Sequence, residues 1–99
     1  MDLRKVITDS SDLNDDLVVY AKKIDGRFLS SSEAVLLQLT EEEQGLRTNE
    51  IADRKCPGFS YFLEMFLIKE MIEDLQNVEP IGDIEQKIET VIHYAEFDA

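Results

Sequence analysis

The sequence predicts an α+β fold in which a small antiparallel sheet of about three strands is covered by two C-terminal amphipathic helices. Residues 17–23 are rich in β-branched and aromatic side chains, which are typical of strands. They are followed by Asp25-Gly26, a dipeptide typical of tight hairpin turns. After residue 67, apolar residues recur at helical spacing. An all-α bundle is the alternative, and it requires both 33–44 and 60–77 to be helical.

The first 29 residues are predicted to hold a helical turn and a hairpin. Asp2 is suited to cap a short helix, whose inward-facing residues are Leu3, Val6 and Ile7. Residues 9–16 are short and polar, which favours a loop. The strand over 17–23 then enters the turn, and Arg27–Leu29 is predicted to pair back on it.

Residues 33–39 allow two interpretations. Ser30 and Glu33 fit a capping box, which predicts a helix. The continuous apolar run after Glu33 instead favours a buried strand, and we prefer the strand.

The polar stretch that follows is predicted to contain one short helix. Thr40 and Glu43 fit a second capping box. We expect Ile51 and Ala52 to hold this stretch against the core, and Pro57-Gly58 to end it.

The most apolar segment is 59–68, which has no polar face at helical spacing and is therefore predicted to be buried. It is either a central strand to about Met65 or the first half of a long helix capped by Ser60. From Leu67 the pattern is amphipathic. The apolar stripe comprises Leu67, Ile68, Met71, Ile72 and Leu75, and the polar side comprises Lys69, Glu70, Glu73 and Asp74.

A second amphipathic helix is predicted at the C-terminus. Pro80 and Gly82 separate it from the first, and Asp83 is a suitable N-cap. Its apolar stripe comprises Ile84, Ile88, Val91, Ile92 and Ala95.

Composition bounds the function. A chain of 99 residues is expected to form a single domain, 1–99. Its one cysteine, Cys56, cannot form an intrachain disulfide, and no apolar run reaches the roughly 18 residues of a membrane span. No signal sequence follows the N-terminal charges, so we expect a cytoplasmic protein that does not enter membranes.

The charge is strongly asymmetric. The net charge is −12, and residues 59–99 hold 10 acidic but only 2 basic side chains. Such a field repels nucleic acid and attracts basic proteins. The sequence therefore predicts a protein partner with a basic surface and no direct contact with nucleic acid.

One pattern has metal-ligand spacing. Glu89, His93 and Glu96 share one side of the last helix, and Glu85 extends the row by one turn. A complete site would need acids from the neighbouring helix, such as Glu70 or Asp74. A solvated acidic stripe is the preferred interpretation, so we expect no metal and no cofactor.

Nucleophilic chemistry has a single candidate. Cys56 follows Arg54-Lys55, whose charge would favour a thiolate, and it could in principle pair with His93. No third group that would orient such a pair can be named, so we expect a non-enzyme. The adjacent acids are interpreted as solvated charge rather than acid–base pairs: Asp15-Asp16, Glu41-Glu42-Glu43 and Glu73-Asp74.

Most aromatic residues lie in apolar segments and are expected in the core: Tyr20, Phe28, Phe59, Tyr61, Phe62 and Phe66. Tyr94 lies beside the last apolar stripe, and Phe97 lies beyond the expected helix end. Either is a candidate for an exposed aromatic anchor at an interface.

A strongly acidic α+β domain of this size without a catalytic motif resembles the small bacterial immunity proteins of contact-dependent growth inhibition and related polymorphic toxin systems. The segment Pro57–Leu63 is also similar to segments of small bacterial domains. The resemblance implies a protein that neutralises a cognate toxin, such as a nuclease, by placing a rigid acidic surface in its basic cleft.

The candidate partner-binding residues are the acids predicted to face outward on the two C-terminal helices: Glu70, Glu73, Asp74, Glu85, Glu89 and Glu96. The loop Glu41–Glu43 is the second choice. Two other functions stay open. The second is a homodimeric adaptor that buries Tyr94 and Phe97. The third is a metal-dependent enzyme built on Glu89, His93 and Glu96.

Overall fold

A computed structural model of the chain describes residues 1–78 and 83–97 and has the predicted α+β fold. Three antiparallel strands form a sheet in the order β2-β1-β3, which excludes the all-α alternative. Pro80 and Gly82 lie outside the described residues. The elements are α1 (Leu3–Thr8), a 3₁₀ turn (Ser10–Asp12), β1 (Leu17–Ala21), β2 (Ala34–Gln38), α2 (Glu41–Gln44), α3 (Thr48–Lys55), β3 (Ser60–Glu64), α4 (Met65–Val78) and α5 (Ile84–Phe97).

The strand interpretations of both ambiguous segments are confirmed. β2 pairs with β1 from Leu17–Gln38 to Ala21–Ala34, so the helix implied by the first capping box does not form. β3 ends at Glu64, and α4 begins at the next residue. β3 is an edge strand, whereas the strand interpretation of this segment placed it at the centre of the sheet. It is apolar because helices cover both faces of the sheet, not because it lies in the middle.

A bulge in β3 places more apolar side chains on one face. The register with β1 shifts between Val19, opposite Leu63, and Tyr20, opposite Tyr61. The extra residue is Phe62, and both Phe62 and Leu63 join the larger core cluster while Tyr61 packs with the smaller one. Bulges of this kind redirect side chains at strand edges.

The hairpin prediction is right about the turn and wrong about the returning strand. Asp25 and Gly26 have φ of 53° and 79°, as a two-residue hairpin turn requires, and Ile24 bridges Arg27. Residues 27–29 do not pair with β1, because Phe28 enters the core and contacts the Phe62 ring edge-on at 5.0 Å. The strand that pairs with β1 is therefore β2.

The short α1 forms as predicted because its amides are satisfied from outside the helix. The Asp2 carboxylate accepts from Lys5 N at 2.9 Å. The amides of Leu3 and Arg4 donate to the carbonyls of Ser32 and Ser30, both at 3.0 Å. These bonds supply partners for groups that a helix N-terminus leaves unpaired, and they fix α1 against the 22–33 loop.

The sheet has two covered faces, whereas the sequence predicted one. On the α4–α5 face, Val19 and Ala21 of β1 pack with α1, α4 and α5. On the opposite face, here called the α3 face, Val18 and Tyr20 pack with Ile51 and Ala52 of α3. The prediction that Ile51 and Ala52 contact the core is confirmed. The helix that carries them was not predicted, because only these two of its eight residues are apolar.

The two predicted helix caps and the two predicted apolar stripes in the polar and C-terminal regions are confirmed, with one exception. The Thr40–Glu43 capping box opens α2, and Asp83 Oδ1 accepts from Gln86 N at 2.9 Å at the start of α5. The exception is Ile84, which lies in the first turn of α5 and is 39% exposed.

Candidate functional site

The three predicted partner-binding acids of α4 lie on its outward side. Glu70, Glu73 and Asp74 are exposed and share an arc of the helix opposite the buried Ile68. None of the three forms an ion pair within the described residues. The neighbouring cation, Lys69, instead donates to Asp15 at 2.5 Å. This helix therefore presents unneutralised carboxylates to solvent.

The three predicted acids of α5 differ from one another. Glu89 is exposed, whereas Glu85 pairs with Arg4 of α1. Glu96 is half-buried, and its carboxylate accepts from the backbone amide of Phe28. Two of these three carboxylates therefore hold α5 against α1 and the 22–33 loop.

The metal-ligand spacing on α5 does not produce a metal site. Within residues 1–78 and 83–97, no three His, Cys, Asp or Glu side chains group as ligands of an ion. Glu96 is directed to the Phe28 amide, and the His93 ring lies against Phe97 with centroids 4.7 Å apart. Helical spacing put these side chains on one side, but within the described residues they do not group as ligands of an ion.

Cys56 is not activated. The residue is buried on the α3 face, and burial raises the pKa of its thiol despite the opposing effect of Lys55. The basic residues before Cys56 therefore do not produce the thiolate that their charge would favour. His93 lies on α5, which packs on the other face of the sheet, so the two residues do not form a nucleophile–base pair.

The aromatic residues mostly occupy the core as expected. Phe66, which is 45% exposed, is an exception. Of the two candidate anchors, Tyr94 packs against the larger core cluster, while Phe97 is 67% exposed. Phe97 and Leu29 line a shallow groove of about 440 Å³ between α5 and the 22–33 loop.

A second groove, of about 370 Å³, lies on the α3 face beyond the N-terminal end of α3. We call it the acidic groove. Its apolar lining includes Val18, Leu46 and Phe66, and its carboxylates are Asp15, Asp16 and Glu64. No lysine or arginine is among the described residues that line it. The groove therefore combines an apolar surface with negative charge, of which the Asp15 carboxylate is paired with Lys69.

Glu64 is the most constrained of these carboxylates. It lies on β3 opposite Val18 and is half-buried. It accepts a hydrogen bond from the Tyr61 hydroxyl. Burial, and then this bond to Glu64, raise the pKa of Tyr61 well above its ordinary value, so the phenol stays a donor. Tyr20 beside it donates to the Thr48 carbonyl at 3.1 Å and joins the sheet to α3.

Sequence reasoning missed the acidic groove, although a signal was present. Glu64 is the only charged residue in the apolar segment 59–68. A charge inside an apolar segment is costly to bury unless it is paired or reaches water. Asp15 and Asp16 were interpreted only as solvated charge, since nothing in the sequence placed them beside Glu64.

Comparisons of the chain with models of protein families, with curated proteins and with solved structures gave no match. Any function assigned to the chain therefore depends on its own side chains and their placement. Within the described residues, no helix is both long and apolar enough to cross a bilayer.

Proposed function

We propose that this chain is a small acidic binding protein that acts as an immunity protein. It docks on the basic surface of a cognate toxin, such as the cleft of a nuclease, and excludes the toxin's substrate. The observation that carries this proposal is the row of exposed, unneutralised carboxylates on α4, Glu70, Glu73 and Asp74, in a chain of net charge −12.

The rigid placement of these acids on α4 favours rapid and tight binding. α4 is fixed to the core by Met65 and Ile68, both fully buried. A surface held in place before binding loses little conformational freedom on association. Complementary charge accelerates encounter by orders of magnitude, and close charge pairs contribute up to several kcal/mol of coupling.

The experiment measures protection of cells. The chain is co-expressed with the C-terminal domain of the protein encoded immediately upstream of it, and growth is recorded. We expect the wild-type chain to restore growth. We expect the triple variant Glu70→Lys, Glu73→Lys, Asp74→Lys to lose protection, because it opposes a basic surface with like charge.

A matched variant separates the location of the charge from its amount. Asp12→Lys, Glu50→Lys, Asp53→Lys reverses three exposed acids outside α4 and α5 and produces the same change in net charge. This control should protect fully. Toxicity that the wild-type chain does not relieve, or equal protection by the two triple variants, contradicts the proposal.

A homodimeric adaptor is the second candidate, because Phe97 and Leu29 are both exposed in one groove. Light scattering during size-exclusion chromatography distinguishes it. A dimer that Phe97→Ser converts to a monomer supports the adaptor. A wild-type monomer argues against it and agrees with the immunity function.

A further inference from the structure

We propose that the acidic groove on the α3 face receives an arginine or lysine side chain of the protein partner. This proposal rests on the proposed function, since it supplies a specific contact for a basic partner. It names a part of the surface that lies outside the predicted acids of α4 and α5.

The shape and lining of the groove suit a side chain with an apolar stem. Its volume is about 370 Å³, and Val18, Leu39 and Leu46 contribute apolar surface. Lysine and arginine bury their methylene stems along such surfaces while their charged ends reach polar groups. A cluster of carboxylates without this apolar surface would not favour a ligand that carries a methylene stem.

The charge of the groove selects a cation. Its lining includes the half-buried Glu64 and the exposed Asp16, and no lysine or arginine is among the described residues that line it. Lys69, the lysine that contacts the groove residue Asp15, is engaged in an ion pair with it. The remaining acceptor capacity of Glu64, which already accepts from Tyr61, and of Asp16 is available to an incoming donor.

Aromatic walls add to this preference. Phe66 is 45% exposed and lines the groove with Tyr61. Cations bind over aromatic faces, and arginine does so more often than lysine. The planar guanidinium also matches a carboxylate with two parallel donors. We therefore expect arginine to bind better than lysine.

The test uses short peptides as probes of the ¹⁵N-labelled full chain. Acetyl-Gly-Arg-Gly-amide, its lysine counterpart and its norleucine counterpart are titrated while amide chemical shifts are followed. We expect the arginine peptide to shift Val18, Glu64 and Phe66. Norleucine, which keeps the stem and lacks the charge, should bind about tenfold more weakly, equivalent to about 1.4 kcal/mol.

Two variants assign the contact to Glu64. Glu64→Gln should weaken the arginine peptide by about tenfold. Glu70→Gln, which removes the same charge from an exposed position on α4, should leave the affinity unchanged. Phe66→Ser alters only a partly exposed wall and should also weaken binding, which keeps the test valid if Glu64→Gln perturbs folding.

The outcomes are distinct from those of the growth experiment. Equal binding of norleucine, equal effects of Glu64→Gln and Glu70→Gln, or shifts that leave Val18 and Glu64 unchanged would overturn the groove proposal. In the growth assay, loss of protection by the α4 reversal still supports the immunity function in that case. Binding of arginine at the groove without any protection of cells would refute the immunity function alone.

Discussion

The two faces of the same three-stranded sheet are built differently. On the α4–α5 face, Val19, Leu63 and Ile88 are fully buried. On the α3 face, Tyr20 is fully buried, but Val18 and Tyr61 remain partly exposed. Three helices cover the first face, whereas a single helix of eight residues lies over the second. The first face supplies stability, and the second leaves room for the acidic groove.

The difference shows how a small chain separates stability from binding. A domain of this size has little apolar surface to spare. Concentrating most of the fully buried side chains on one face, with the help of the β3 bulge, satisfies the core. The α3 face is then able to carry a half-buried carboxylate, Glu64, that a closed core would exclude.

Truncating one leucine on each face gives the largest expected contrast. Leu63→Ala should lower the free energy of unfolding by about 2–5 kcal/mol, because it empties a fully buried site. Leu46→Ala, a half-buried leucine beside the acidic groove, should cost about 1–2 kcal/mol. Urea denaturation measures both. Equal losses would show that the two faces are packed alike.

The link between α5 and the 22–33 loop should give the next largest effect. Glu96→Ala removes the acceptor of the Phe28 amide and should cost about 1–3 kcal/mol. Glu89→Ala is the matched control, since Glu89 is exposed on the same side of α5, and it should change stability by less than about 0.5 kcal/mol. Similar values for both variants would mean that the Phe28 contact contributes nothing.

A smaller and more local effect is expected on the α3 face. Tyr20→Phe removes the hydrogen bond to the Thr48 carbonyl and should cost about 1 kcal/mol. Amide hydrogen exchange should accelerate in α3 and stay unchanged in α5, because the bond joins only α3 to the sheet. Acceleration spread evenly over both helices would contradict the separation of the two faces.

The smallest effect at neutral pH, and the most specific, concerns Tyr61. Its pKa in the folded chain is raised above the ordinary value of 10.0, so folding favours the protonated phenol. The associated stability is fully present below pH 10.0 and is lost as the pH rises toward the folded-state pKa.

Glu64→Gln should lower the pKa of Tyr61 without returning it to 10.0, because burial is the larger cause of the shift. The near-ultraviolet absorbance of tyrosinate measures this titration. Glu70→Gln is the control and should leave the curve unchanged. A Tyr61 titration that does not respond to Glu64→Gln would place the Glu64 carboxylate outside hydrogen-bonding reach.

Local patterns were sufficient where a segment's own residues decide its structure. The Asp25-Gly26 turn and the Thr40–Glu43 capping box depend on a few adjacent residues, and both form. The stripes of α4 and α5 follow from helical period, and their buried members agree. The exposure of Glu70, Glu73 and Asp74 follows from the same period.

Sequence patterns failed to predict the structure where a residue's position depends on a contact far away in the chain. Nothing near Phe28 indicates that it packs on Phe62 rather than continuing a hairpin. The spacing of Glu96 suggested a ligand or a docking acid, but its position depends on an amide 68 residues earlier in the chain. α3 has too few apolar residues to be recognised as a helix from the sequence. It owes its stability to contacts with the sheet.

The sequence by itself determined the α+β class, the two amphipathic helices and a surface rich in carboxylates, since these depend on composition and on short-range period. Only the tertiary structure decided which strands pair, which face α3 covers and that Asp16, Glu64 and Phe66 meet in one groove. Those arrangements depend on side chains far apart in the chain, and their contacts exist only once the sheet has formed.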